Sequence, residues 1–82
     1  GCYYVIGLRV DHRRANAAGL QETLTRYGCN IRLRGAAEAG EGRCSDDGVI
    51  LLQVCGEQDE VDRLMAALES TPGVTAKLMD LN

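Results

Sequence analysis

Eight consecutive residues, Gly48-Val-Ile-Leu-Leu-Gln-Val-Cys55, carry a single polar side chain among them. Side chains of a strand alternate between two faces, so a strand of this composition is apolar on both and needs cover on both. If Val49, Leu51 and Cys55 share one face, Ile50, Leu52 and Val54 occupy the other. One set packs on a core, and the other meets water or a partner. The chain has 82 residues. Area scaling leaves about 4,800 Å² exposed of the roughly 12,800 Å² that the unfolded chain presents. That allows one small core and a single domain over residues 1–82, too little to hide every apolar side chain of such a strand.

The rest of the chain supplies the remaining layers. Residues 3–10 are rich in β-branched and aromatic side chains, with Tyr4, Ile6, Leu8 and Val10 forming one apolar face. The other face, Tyr3, Val5, Gly7 and Arg9, is only partly polar. Asp11 is placed to cap a helix from His12 to Tyr27, with Ala17, Leu20, Leu24 and Tyr27 as its stripe and Gly28 as a left-handed stop. Residues 29–35 alternate, with Cys29, Ile31 and Leu33 on one side and Asn30, Arg32 and Arg34 on the other. Residues 35–47 hold glycine, alanine and acidic residues without periodicity and predict a mobile connection. After the apolar strand, Glu57, Asp59 and Glu60 open a second helix striped by Val61, Leu64, Met65 and Leu68. Thr71-Pro72-Gly73 ends it, and residues 74–81 form a last strand whose alternation slips near Leu78, as at a bulge or a sheet edge.

The order is β-α-β-β-α-β. Right-handed crossovers put both helices on one face of a four-stranded antiparallel sheet, which predicts an α+β, ferredoxin-like sandwich with strand order 4-1-3-2. The first and third strands are central in that order and are also the most apolar. The other face of the sheet then has no layer of this chain to cover it. Burying about 500 Å² of apolar surface there is worth on the order of 12 kcal/mol before association costs. Self-association is therefore expected, as a twofold dimer or higher oligomer packed sheet to sheet or edge to edge, with Tyr3, Val5, Leu51 and Arg32 as interface candidates.

Composition excludes several classes. A net charge of −3 leaves no electrostatic footprint for nucleic acid, and three tyrosines are too few aromatics for a base-stacking platform. The charge is uneven: residues 1–41 hold six Lys/Arg against four Asp/Glu (+2), and residues 42–82 three against eight (−5). No apolar run approaches the roughly 18 residues of a membrane span and no secretory signal is visible, so a cytoplasmic chain without membrane contact is expected. Gly1 is not a translation start and is expected to be a tag remnant or a product of processing. Cys2, Cys29, Cys44 and Cys55 form no close pair, and the one histidine lies far from all of them. Reduced thiols and no cofactor or metal site are expected, with Cys29 and Cys55 as small strand hydrophobes.

No CxxC follows the first strand, as a metallochaperone of this shape requires, and no glycine-rich anion loop follows it, as a phosphate cradle requires. No nucleophile triad is legible, so an enzyme is not expected. His12, Arg13 and Arg14, with Asp11 beside them at the first strand–helix junction, are candidates for holding a small anion near a helix start, and Arg34 joins them as a candidate ligand group.

The run from Val10-Asp11 through Gly28-Cys-Asn-Ile31 resembles the first strand–helix–strand unit of ACT domains, although the Pro-Gly ligand loop common there is absent. Across nearly the whole chain the sequence resembles the small ACT-like family of iron-only hydrogenase system regulators. The likeness rests on Tyr4-Val-Ile, Ile31-Arg-Leu-Arg-Gly35, Gly48-Val-Ile-Leu-Leu-Gln-Val54, and Gly73-Val74 with Lys77 and Leu81. It implies a ferredoxin-like oligomer related in shape to the ligand-binding domain of the nickel-responsive repressor, whose histidine cluster this chain lacks. The reading is a stand-alone regulatory, ligand-sensing module with a small-molecule effector. Its alternatives are a metal- or cofactor-handling protein of hydrogenase maturation using cysteine ligands, and a purely structural interaction domain.

Overall fold

Four strands and two helices follow one another as β1 (Tyr4–Val10), α1 (Arg13–Arg26), β2 (Ile31–Ala37), β3 (Gly48–Val54), α2 (Gln58–Glu69) and β4 (Val74–Asp80). The computed structural model describes residues 1–37 and 48–82. The sheet is antiparallel with order β2-β3-β1-β4, the expected 4-1-3-2 arrangement read from the other edge, and the architecture is the ferredoxin-like α+β sandwich. Of the expected connection over 35–47, residues 35–37 belong to β2. The remainder, Cys44 included, lies outside the described residues.

Parity along the strands builds the core. Tyr4, Ile6, Leu8 and Val10 of β1 and Ile50, Leu52 and Val54 of β3 are all buried against Leu20 and Leu24 of α1 and Val61, Leu64 and Leu68 of α2. Their odd-numbered neighbours face away from the helices. β1 and β3 pair in continuous register, Tyr4 with Val54 through Val10 with Gly48. The register of β1 with β4 is equally continuous, so the slip near Leu78 is not a bulge. β4 is an edge strand, and the slip reflects Met79 and Leu81, apolar side chains that stand exposed.

β2 departs from strict alternation. Ile31 pairs with Val54 and Leu33 with Gln53, so two steps of β2 oppose one of β3 and Arg32 is the extra residue of a bulge. The bulge moves Leu33 to the face away from the helices, where it is 63% exposed, and turns Arg34 opposite Leu52 toward α1. The expected grouping of Leu33 with Ile31 and of Arg34 with Arg32 is thereby corrected. Cys29 is not in a strand either. It is exposed in a short 3₁₀ turn, Gly28–Asn30, and Gly28 does not take the left-handed conformation expected of it.

That turn is anchored by Asn30. Its side-chain amide donates to the Cys55 carbonyl (3.0 Å) and to Glu60 Oε2 (3.3 Å). Glu60 and Glu57 form a reciprocal capping box at the start of α2. The Glu57 backbone N–H, followed by the Asn30 amide, holds the Glu60 carboxyl below the usual carboxylate range. Hydrogen bonds to the ionised form have this effect generally.

The thiols also depart from expectation. Cys2 is joined to Cys55 in a disulfide, where four free thiols were expected. Register brings them together: Tyr4 pairs with Val54, and beyond it the Gly1 amine donates to the Gly56 carbonyl while the Gly56 N–H donates back to the Gly1 carbonyl.

Candidate functional site

Two surfaces, on opposite sides of the sheet, hold five of the residues singled out from the sequence: Tyr3, Val5 and Leu51 on one, Arg13 and Arg34 on the other. The first is the face without helices. Tyr3, Leu33, Val49, Leu51, Met79 and Leu81 stand exposed on it, with Val5 half-buried. Its relief follows from register. Leu51 lies opposite Gly7 of β1 on one side and Gly35 of β2 on the other. Leu51 leans toward Gly7, where an added Cβ would meet its Cδ2 at 3.8 Å, whereas nothing lies within 4 Å of a Cβ at Gly35. The result is a leucine knob beside a glycine-floored hollow of about 390 Å³, walled by Tyr3, Val5, Leu33 and Gln53.

Of the expected interface residues, Tyr3, Val5 and Leu51 share this hollow and Arg32 does not line it. Leu33, Gly35 and Leu81 are additions. For Leu81 a signal was present in the broken alternation of the last strand. For Leu33 there was none, because the bulge that exposes it leaves no mark in a sequence that alternates cleanly.

The second surface is a groove of about 400 Å³ between α1 and the β2–β3 edge. Its floor is apolar, formed by Val10, Leu20 and Ile50 with Ala17 from the helix, and Arg13 and Arg34 line it together with Gln21. Arg34 Nη1 donates to Gln21 Oε1 at 3.2 Å. The Arg13 side chain lies over Gly48, where an added Cβ would stand 3.2 Å from its Nη1. The structure thus brings Arg13 and Arg34 to one groove and leaves Asp11 and His12 outside its lining.

Asp11 is not the helix cap that was expected. Its Oδ1 lies 3.1 Å from Arg9 Nη2, and its backbone ties two turns together. The Asp11 N–H donates to the Gly73 carbonyl (2.8 Å), and its carbonyl accepts from Asn16 Nδ2 (2.6 Å). The N-cap is His12, held left-handed at φ 48° and ψ 56° without a side-chain cap bond. A non-glycine residue pays steric strain of about 1–2 kcal/mol there. His12→Gly is therefore expected to raise stability by up to about 1 kcal/mol, a gain of roughly 4–8 °C in a thermal melt for a domain this size.

Among the described residues, no group of three or more His, Cys, Asp or Glu could hold a metal ion, and no helix is long and apolar enough to cross a membrane.

No protein-family model and no curated protein sequence matches the chain. Solved structures do. The chain is similar to TM1266, an uncharacterised protein from Thermotoga maritima, with TM-score 0.84 and 23% identity over 96% of this chain and 95% of that one. It is also similar to the C-terminal domain of the MgtC protein from Mycobacterium tuberculosis, with TM-score 0.59 and 20% identity over 95% and 87% of the two chains. SnoaB, a cofactor-independent oxygenase from Streptomyces nogalater, gives TM-score 0.60 and 10% identity over 100% and 95%. At these identities the likenesses establish a shared fold and leave activity to be argued from the residues.

Proposed function

We propose that the chain is a self-associating ACT-like regulatory module in which two copies close the open sheet face and a small effector shifts the assembly between states. The observation that carries this reading is the relief of that face. A knob at Leu51 lies beside a hollow over Gly35, among exposed Tyr3, Leu33 and Val49. A twofold axis places the knob of each copy over the hollow of the other, the self-complementary pattern of an isologous interface. An effector that prefers one assembly state acts through linkage and without turnover. The association with iron-only hydrogenase systems rests on the sequence resemblance alone. The cytoplasmic placement belongs to the same reading.

The test is the self-association constant measured with and without each member of a small-metabolite panel. A module predicts at least one compound that changes the constant by about 5–150-fold, the usual range of allosteric coupling. Compounds that bind and leave the constant unchanged across the panel contradict regulation and favour a purely structural interaction domain.

A further inference from the structure

We propose that the groove between α1 and β3 binds a small organic acid with an anionic group at each end and an apolar spacer between them. The inference deepens the regulatory reading, on which it rests for its consequence, by naming the effector's class and its seat. Two rulers set the spacing of the anchors. Arg13 and Gln21, the partner of Arg34, are eight residues apart on α1, about 12 Å along the axis. On the facing strand, Arg13 lies over Gly48 and Arg34 is opposite Leu52, a separation of four residues or about 13 Å. The guanidinium-bearing residues therefore mark opposite ends of the groove, and the side chains between them are alanine and aliphatic: Ala17, Leu20 and Ile50.

Among the described residues no carboxylate is paired with either arginine, while Arg9, Arg26 and Arg63 each have an acidic partner. A guanidinium offers planar, forked donors suited to a carboxylate, and an aliphatic floor between two of them disfavours a compact inorganic anion, which reaches only one end. Gln21 Oε1, itself in the lining, accepts from Arg34 Nη1 and helps to position it. The groove is on the helix side of the sheet, away from Leu51, so ligand binding and closure of the open face can be separated experimentally.

The experiment is calorimetric titration at low salt with a series of linear dicarboxylates (succinate, adipate and suberate), with hexanoate and sulfate as single-anchor controls. At least one dicarboxylate is expected to bind about tenfold or more tightly than either control. Arg13→Gln and Arg34→Gln are each expected to weaken it by about 10–100-fold, the worth of one charge-assisted contact. Ala17→Phe, which fills the floor and keeps both arginines, is expected to abolish binding. Both arginines and Ala17 are exposed, and unchanged thermal melts establish that the variants fold. Equal binding of sulfate or hexanoate, affinity untouched by either arginine substitution, or no binding at all overturns the proposal. Repeating the titration on Leu51→Glu separates the two ideas. Binding retained by a monomeric chain supports the groove whatever becomes of self-association, and binding absent from both chains overturns the groove alone.

Discussion

Leu51→Glu is expected to weaken self-association by about a thousandfold while leaving the folded protomer within about 0.5 kcal/mol of wild type. Leu51 is 55% exposed in the protomer, so the substitution removes little from the core. In a twofold interface it acts twice, placing an unpaired carboxylate from each copy into the hollow of the other. Gly35→Val is the complementary change. Open space surrounds a Cβ at that position, and glycine within a strand costs roughly 0.5–1 kcal/mol relative to a residue with a side chain. The valine is therefore expected to raise the melting temperature of the protomer and to weaken assembly at once, because it fills the hollow. Sedimentation velocity and thermal melts read the two effects separately. A variant that melts higher and still assembles as wild type contradicts the knob-and-hollow contact.

Gly73→Ala is expected to destabilise the fold by about 2–4 kcal/mol, lowering the melting temperature by roughly 10–25 °C. Gly73 takes φ 77°, where a Cβ would overlap the Asn16 side-chain amide and stand 2.9 Å from the Asp11 carbonyl oxygen. The cost is left-handed strain together with loss of the Asn16–Asp11 bond that joins the start of α1 to the end of β1. Asn16→Ala removes the bond without the strain and is expected to cost about 1 kcal/mol. A Gly73→Ala protein as stable as wild type in a denaturant titration contradicts the account of this junction.

The arrangement of the sheet was legible because two independent signals agree. The element order makes β1 and β3 central, and the same two strands carry the most apolar sequences, with Ile6, Leu8, Leu52 and Val54 fully enclosed. Legibility ended where backbone irregularity resets parity. The bulge at Arg32 sends Leu33 to the open face and Arg34 to the helix side, the reverse of what alternation implies. The groove consequently stayed hidden in a sequence whose anchoring residues, Arg13 and Arg34, had been singled out for other reasons. The hollow was hidden differently: Gly7, Leu51 and Gly35 are scattered in sequence, and only strand register lines them up. At His12, capping preference pointed to Asp11, and the tie between Asp11 and Gly73 across two turns prevailed.

Sedimentation equilibrium of the wild-type chain over a wide concentration range tests the central claim most directly. Closure of the open face by a second copy predicts that the weight-average mass rises with concentration toward twice 8.8 kDa or beyond. A mass that stays at 8.8 kDa in concentrated solution contradicts it.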